Sequence, residues 1–343
     1  MTDIRLAVIG YGLAGATFHA PLAASTPGLT VASVVTGNPE RAAQARADHP
    51  GVEALASPDE LWERAGEHEL VVVASPNDSH APLARQAVDL GLAVVVDKPL
   101  APTAAEAREL VDHAAERGVP LTVFQNRRWD SDFLTLRRLI SEGALGEVRR
   151  FESRFERWRP EPKPGAWRET TPPERGGGVL LDLGAHLVDQ AVQLLGPAAE
   201  VYGEVEAHRE GAADDDTFVA LRHESGPISH LWASSVAAAQ GPCLRVLGSE
   251  AAFVVDELDS QEDALKAGLR PGTHEPWGEV PESRWGRLVR GDESEPVRSE
   301  RGAWPEFYAG VQRALRAGEP LPVDPRDAVA TLEVLERARL GSR

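Results

Sequence analysis

The first third of the chain alternates short apolar runs with helical patterns, and no other feature constrains its fold as strongly. The apolar runs predict strands and lie at residues 4–9, 29–36, 70–74, 92–96 and 121–124. Helical patterns separate them at residues 39–48, 58–65, 80–90 and 103–117. This alternation is typical of a parallel sheet with crossover helices on its two faces. We therefore expect residues 1–125 to form a doubly wound α/β domain.

The pattern changes after residue 125, and a chain of 343 residues has room for a second domain. Alternating polar and apolar residues predict strands at 147–157, 201–208, 217–223, 228–236 and 244–255. Helices are expected at 132–142, 178–195, 304–317 and 325–339. Alternation of this kind is typical of a mostly antiparallel sheet with one covered face. We expect an α+β domain with a large open sheet over residues 126–343, whose last helices can pack back on the first domain.

The composition narrows the range of partners. The formal net charge is −18, whereas nucleic acids and anionic membrane surfaces bind basic patches. Cys243 is the only cysteine, which permits a reducing compartment and leaves no partner for a disulfide or a cysteine-based zinc site. The chain shows neither a basic and apolar leader nor an apolar run of about 18 residues. We expect a cytoplasmic protein with a small-molecule partner, without nucleic acid, membrane or metal. The acidic run 214–216 is expected to be a solvated turn.

A glycine-rich motif follows the first predicted strand directly and opens a helix. It consists of Gly10, Tyr11, Gly12, Leu13, Ala14 and Gly15. In a G-x-G-x-x-G turn the first glycine permits a tight bend, the second lets a pyrophosphate approach the backbone, and the third packs helix against strand. At the start of a strand–helix alternation, this motif predicts a Rossmann domain that binds NAD or NADP.

Residues beyond the glycine motif bear on which of these cofactors is bound. An NAD site would place an acid after the second strand for the ribose 2′-hydroxyl, but no acid precedes Glu40 there. Thr36, Asn38 and Arg41 offer hydrogen bonds and a positive charge suited to a 2′-phosphate. We expect NADP, with NAD as the alternative. A loop expected to cover the nicotinamide ribose contains Ser75, Pro76, Asn77 and His80. Capping of the next helix is the alternative role for the last two.

Lysine is rare in this chain, which contains only Lys98, Lys163 and Lys266. Arginine keeps its proton inside proteins, whereas a partly buried lysine can take part in proton transfer. Lys98 follows Asp97 directly after the apolar run 92–96, at the edge of the sheet where open α/β folds bind ligands. We expect Lys98 to be catalytic and both residues to border the cofactor. A surface lysine in an arginine-rich chain is the alternative.

A second polar motif lies on the helix predicted at 178–195. Asp182 and His186 are four residues apart, so they share one helix face, which Asp189 continues. Histidine exchanges a proton near neutral pH, and Asp182 can orient the imidazole or accept a hydrogen bond from a substrate hydroxyl. We expect Asp182 and His186 to be catalytic and to bind substrate. A solvated helix face and a pair of metal ligands are the alternatives.

Hydrogen-bonding groups lie beside aromatic residues after the last strand of the first domain and again further along the chain. Those expected to bind a polyol are Asn126, Arg128, Trp129, Trp167 and Arg168. The segment 157–160 offers more groups of the same kind. Packing at the domain interface is the alternative role for each.

Together these motifs resemble the Gfo/Idh/MocA oxidoreductase family over essentially the full chain, and within it the NADP-dependent scyllo-inositol dehydrogenase branch. The resemblance is carried by residues 10–15, 18–19, 97–99, 126–134, 182–190 and 261–265. It implies a Rossmann domain, a substrate domain with an open mixed sheet, homo-oligomerisation through that sheet, and a site built from Lys98, Asp182 and His186. The family more often has Glu at the position of Asp97 and frequently arginine at that of Asn38.

The resemblance also implies a reaction: reversible oxidation of a secondary hydroxyl of a cyclic polyol or sugar, scyllo-inositol-like, to the ketone. His186 would take the hydroxyl proton, Lys98 would hold the reacting oxygen, and Asp182 would fix His186. One alternative is a reductase or dihydrodiol dehydrogenase for another carbonyl or alcohol. The other is a non-catalytic NADP-binding sensor.

Overall fold

A six-stranded parallel sheet organises the first part of the computed structural model, which describes residues 2–162, 165, 167–211 and 213–341. Its strands are β1 (Ile4–Ile9), β2 (Leu29–Val35), β3 (Glu53–Leu55), β4 (Leu70–Val73), β5 (Ala93–Asp97) and β6 (Leu121–Phe124). The spatial order is β3-β2-β1-β4-β5-β6, with every neighbouring pair parallel. Every residue of β4 and β5 is buried, as expected for strands covered on both faces. The predicted doubly wound sheet is confirmed.

The crossover helices are α1 (Ala20–Ala24), α2 (Pro39–Asp48), α3 (Pro58–Trp62), α4 (His80–Asp89) and α5 (Ala104–Arg117). Four of them, α2 to α5, begin within one residue of their predicted starts, whereas α1 begins later than the glycine motif predicts. The Thr103 side chain caps α5 by accepting a hydrogen bond from the backbone N–H of Glu106. A π-helical turn, Ala14–His19, precedes α1 and puts Pro21 in the first turn of that helix, where a missing N–H costs little.

An eight-stranded sheet organises the second part. The elements in chain order are α6 (Ser131–Ser141), β7 (Val148–Glu156), α7 (Trp167–Thr170), α8 (Ala185–Leu195), β8 (Ala198–Glu206), β9 (Asp216–His223), β10 (Ile228–Ser234), β11 (Leu244–Gly248), β12 (Ala252–Val255), α9 (Gln261–Lys266), β13 (Arg287–Arg290) and β14 (Glu293–Pro296). The strand order is β14-β13-β12-β11-β7-β10-β9-β8. Only β7 and β10 pair in parallel, so the predicted mostly antiparallel sheet is confirmed. The segment 244–255, predicted as one strand, is the hairpin of β11 and β12.

Two C-terminal helices, α10 (Pro305–Ala317) and α11 (Pro325–Gly341), contact both parts of the chain. From α10, Tyr308 and Phe307 pack against the ring of Phe124 at the end of β6. Helix α11 packs against α5, α8 and β8. Helix α11 therefore connects α8 with α5 and β6 of the first part. The domain limits 1–125 and 126–343 stay a prediction.

The acidic run before β9 differs from its prediction as a solvated turn. Asp215 is 1% exposed and accepts hydrogen bonds from the backbone N–H groups of His208 and Arg209. Asp214 is also buried and accepts one from the N–H of Leu180. The prediction failed because the donors that compensate Asp214 are far away in sequence. No helix in the described ranges is long and apolar enough to span a membrane.

Candidate active site

The carboxyl ends of β1 and β4 meet at the glycine motif, which lies where the strand order of the sheet reverses. Gly10 has a φ of 96°, and a Cβ added to it would lie 2.7 Å from the carbonyl oxygen of Ala74. Only glycine fits such a turn without strain. The motif opens a groove of about 400 Å³ lined by Gly10, Gly12, Leu13, Ala14, Arg41, Ala74, Ser75, Pro76, Gly165, Trp167 and Arg168. A bare glycine backbone at a strand–helix junction fits the pyrophosphate of a dinucleotide.

The residues expected to read the ribose 2′ group divide into two kinds. Arg41 lines the groove, and a Cβ on Gly12 would lie 3.8 Å from its Nη1. The Asn38 side chain instead caps α2, accepting hydrogen bonds from the N–H groups of Glu40 and Arg41 at 2.9 and 3.0 Å. Thr36 Oγ1 accepts a 3.3 Å hydrogen bond from the N–H of Asn38. Among these three residues, Arg41 therefore brings a positive charge to the groove. Thr36 and Asn38 instead stabilise the start of α2, the helix that carries Arg41.

Three other residues expected at the cofactor belong to the scaffold. Tyr11 is buried and donates its hydroxyl to Asp48 at 2.9 Å. Asn77 donates to the carbonyl of Gly176 at 2.8 Å, which ties the Ser75–Ser79 turn to the second part of the chain. His80 is fully buried, with its ring nitrogens 2.7 Å from the Pro99 carbonyl and 2.9 Å from that of Ser75. These contacts hold the groove in shape.

A second cavity, of about 280 Å³, adjoins the groove and contains Lys98, Asp182 and His186. Leu13 and Ala14 line both spaces. Lys98 Nζ lies 2.8 Å from Asp182 Oδ1 and also donates to the Asp182 carbonyl. Lys98 and Asp182 are 84 residues apart in the chain, so no local pattern predicts this contact. The sheet edge that carries Lys98 and the helical turn that carries Asp182 come together in the cavity.

Asp182 is the anionic centre of the cavity. Arg168 Nε lies 3.4 Å from its Oδ1, and Arg157 lies 3.9 Å from its Oδ2. Burial would raise the pKa of the Asp182 carboxyl, but the charges of Lys98, Arg168 and Arg157 outweigh burial and lower it. The carboxylate is therefore ionised at every physiological pH.

His186 is 6% exposed, and no hydrogen bond joins it to Asp182 in the described chain. The structure thus pairs the Asp182 carboxylate with Lys98 and not with the imidazole that it was expected to fix. A π-helical turn, Leu180–Gly184, carries Asp182 into α8, and such turns are frequent at functional sites. Burial, with the charges of Lys98 and Arg127, lowers the pKa of His186 well below its ordinary value. The imidazole is neutral and able to accept a proton.

A buried chain of polar contacts that the sequence did not reveal supports the Lys98 backbone. Asp97 Oδ1 accepts the N–H of Lys98 at 2.9 Å and lies 3.6 Å from His19 Nε2. His19 Nδ1 in turn lies 2.7 Å from the hydroxyl of Tyr308 on α10. Burial opposes ionisation of Asp97, yet His19 and Lys98 lower its pKa to about 2. Only the resemblance, which included His19, gave a signal for this chain.

The polyol-binding set separates in the structure. Asn126 and Arg168 line the cavity, and Trp167 lines the neighbouring groove. Arg128 and Trp129 do not line the cavity. Trp129 packs edge-on against the ring of Phe307.

Arg128 has a structural partner set instead of a place at the cavity. It forms a bidentate pair with Asp189, at 2.8 and 2.6 Å, and a 2.9 Å pair with Asp327. All the nitrogens of its guanidinium thus face carboxylates. Cavity residues that the candidate set lacked include Arg127, Phe155, Glu262, Lys266 and Trp304.

Comparison with known proteins agrees with this geometry. The profile described as "Oxidoreductase family, NAD-binding Rossmann fold" matches residues 4–125, and the "GFO/IDH/MocA C-terminal domain" matches residues 133–254. The chain is 40% identical to the oxidoreductase YdgJ of Escherichia coli K12, covering 97% of this chain and 95% of that protein. It is 33% identical to the scyllo-inositol 2-dehydrogenase (NADP⁺) IolW of Bacillus subtilis, over 99% and 94%. The solved structure of the oxidoreductase yvaA from Bacillus subtilis superposes with a TM-score of 0.92 at 32% identity, covering 99% and 96%.

The fold and the site define an NAD(P)-binding oxidoreductase. The chain belongs to the Gfo/Idh/MocA family, as its motifs predicted.

Proposed function

We propose that this protein reversibly oxidises a secondary hydroxyl of a cyclic polyol or sugar to the ketone, with NADP as the preferred cofactor. One observation carries the proposal: a lysine ammonium, an ionised carboxylate and a neutral imidazole share one cavity that adjoins the glycine groove. The similarity to IolW, named as an NADP-dependent scyllo-inositol dehydrogenase, supports a cyclic polyol as the starting point for a substrate search.

The three side chains divide the work of the reaction. A nicotinamide bound in the groove supplies the hydride acceptor. His186, held neutral, takes the hydroxyl proton as the carbonyl forms and returns it in the reverse direction. Lys98 stabilises negative charge that develops on the reacting oxygen, because its ammonium is held in place by Asp182. Asp182 acts here by positioning Lys98.

Arg41 supports the preference for NADP. Its side chain lines the groove beside Gly12, and no carboxylate among the described residues pairs with it. No acid at the end of β2 would repel a 2′-phosphate. An arginine left free beside the ribose end of the groove suits a phosphate better than a hydroxyl.

The open face of the second sheet supports a homo-oligomer. Helices α8 and α11 pack against this sheet from one side. Phe218, Trp232 and His230 cluster on it, and Tyr202 is 52% exposed beside Phe218. Aromatic residues left partly exposed on a sheet face are typical of a contact surface. The cytoplasmic location stays a prediction.

Initial rates with a panel of inositols and aldoses, each offered NADP⁺ and NAD⁺, test the proposed reaction. Oxidation of a cyclic polyol or sugar with a higher kcat/KM for NADP⁺ is the expected result. Turnover of only unrelated carbonyl compounds or dihydrodiols would show that the proposed substrate class is wrong. Binding of NADP without turnover of any compound would support a sensor.

A further inference from the structure

The active-site cavity is cationic although the chain as a whole carries a net charge of −18. Three carboxylates line it: Asp97, Asp182 and Glu262. Six positively charged side chains line it as well: Lys98, Arg127, Arg157, Arg159, Arg168 and Lys266. A local excess of like charge is unfavourable in a partly buried space unless an anion balances it.

The carboxylates of the cavity do not use up this positive charge. Glu262 already accepts from Arg127 at 2.7 Å and from Lys266 at 2.5 Å. Asp182 is held by Lys98 at 2.8 Å. Glu262 and Asp182 therefore already have cationic partners before Arg157 and Arg159 are considered.

Arg157 and Arg159 keep unused charge and hydrogen-bond donors. The carboxylate nearest to Arg157 is Asp182 at 3.9 Å, and Arg157 Nε is buried without a hydrogen-bond partner. The guanidinium of Arg159 makes no ion pair or hydrogen bond within the described ranges. Burial lowers the pKa of Arg157, and the charge of Arg159 lowers it further. An unpaired donor in a buried position is costly unless a ligand completes it, and this cost applies to Arg157 Nε, since Arg159 is exposed.

These two arginines lie on the substrate side of the cavity. Arg168 lines the glycine groove as well as the cavity, so a cofactor phosphate could account for its charge. Arg157 and Arg159 do not line that groove. They line instead the cavity and a smaller space of about 190 Å³, which itself borders the groove at Leu13, Trp167 and Arg168. A cofactor in the groove therefore leaves them free for another anion.

We propose that the substrate is an anionic sugar or cyclitol, whose carboxylate or phosphate group binds Arg157 and Arg159 while a ring hydroxyl meets Lys98 and His186. This inference rests on the proposed function and narrows its substrate class. The planar fork of arginine matches both carboxylate and phosphate oxygens. A neutral inositol would leave Arg159 without a counterion and Arg157 with only its 3.9 Å contact to Asp182.

Two matched substrate pairs test the charge preference. One pair is methyl β-D-glucoside and methyl β-D-glucuronide, which differ by a carboxylate. The other is myo-inositol and myo-inositol 1-phosphate, which differ by a phosphate. We expect kcat/KM with NADP⁺ to favour the anionic member of one pair by about tenfold or more, as one charge-assisted hydrogen-bonded pair provides. The pair that responds identifies the anionic group.

The variant Arg159→Gln should reduce this preference about tenfold, because the neutral amide keeps hydrogen bonding but removes the charge. Arg137→Gln is the matched control, because Arg137 is an exposed arginine of α6 outside the cavity. This variant should leave the ratio of kcat/KM for the anionic and neutral substrates unchanged. Calorimetric titration of the NADP⁺-loaded protein with the same compounds reports binding independently of turnover.

The outcomes separate the two proposals. Turnover that favours the neutral member of both pairs, or an anionic preference that Arg159→Gln leaves intact, overturns the anionic-substrate inference while the oxidoreductase function stands. Binding of an anionic member that depends on Arg159, without turnover, supports the anion site and overturns the proposed reaction. Neither turnover nor selective binding overturns both.

Discussion

At the scale of single residues, Lys98 is the most testable feature of the site. Lys98→Met removes the charge and keeps a side chain of similar length. We expect kcat to fall by about a hundredfold to a thousandfold, the cost of losing one preorganised donor to a developing oxyanion. NADP affinity, measured by fluorescence titration, should change little because the groove lies beside the cavity.

Lys266→Met provides the control for Lys98→Met. Lys266 is the other lysine of the cavity, and it is paired with Glu262 instead of Asp182. Its replacement should affect kcat far less. An equal loss of turnover and cofactor affinity in Lys98→Met would mean that Lys98 supports the fold and not the chemistry.

We expect the His186 imidazole to set the pH dependence of the proposed reaction. Its pKa lies well below the ordinary value of 6.5, because burial and the charges of Lys98 and Arg127 disfavour the protonated form. The neutral form is the base, so kcat/KM for oxidation should stay constant as pH falls through 6.5 and decline only at lower pH. Initial rates between about pH 5 and about pH 8 measure this. A decline centred at or above 6.5 that disappears in His186→Gln would contradict the assignment.

At the scale of secondary-structure elements, the contact between α2 and the glycine turn predicts cofactor choice. Arg41→Ala removes the unpaired guanidinium of the groove and leaves the Asn38 cap of α2 in place. We expect KM for NADP⁺ to rise about tenfold with little change for NAD⁺, since only the 2′-phosphate loses a charged partner. Arg46→Ala, also an exposed arginine of α2, is the control. An equal rise for both cofactors would remove Arg41 from 2′-phosphate recognition.

The Arg128 ion pairs join the turn Asn126–Trp129 to α8 and α11. Arg128→Met leaves the buried Asp189 and the partly exposed Asp327 without their partner. Removing one member of a buried pair costs about 3 to 5 kcal/mol, so we expect a loss of that order in the free energy of unfolding measured with urea. The double variant Arg128→Met with Asp189→Leu should recover part of it. If the free energy of unfolding is unchanged and the KM for the substrate rises, Arg128 binds substrate and does not act mainly in stability.

At the scale of the whole molecule, the open sheet face predicts the assembly state. The double variant Phe218→Glu with Trp232→Glu places two negative charges in the aromatic cluster of this face. We expect it to convert the oligomer into single chains, which light scattering measures. Arg137→Gln, which lies away from this face on α6, should leave the mass unchanged. A native mass of one chain in the unmodified protein would refute the predicted oligomer.

Sequence patterns predict the two sheets well because burial dictates their patterns. Strands covered on both faces need unbroken apolar runs, as in β4 and β5, and half-covered strands need alternation, as in β9. The short strands β3, β13 and β14, at or next to a sheet edge, are not predicted, since three or four residues carry too little periodicity.

The site is only partly predictable for a different reason. Lys98, Asp182 and His186 carry local signals, and the structure brings them into one cavity. The pairing of Arg128 with Asp189 and Asp327 depends on residues remote in the chain, which no local pattern records. The excess of positive charge at the cavity likewise becomes visible only when distant segments come together.

Leu13 and Ala14 line both the cofactor groove and the catalytic cavity, and Leu13 is 56% exposed. A dinucleotide lying along the glycine turn would therefore cover this side chain and become one wall of the chamber in which the second reactant sits. We therefore expect an ordered catalytic cycle, in which the nucleotide enters first and leaves last and the second reactant exchanges in between.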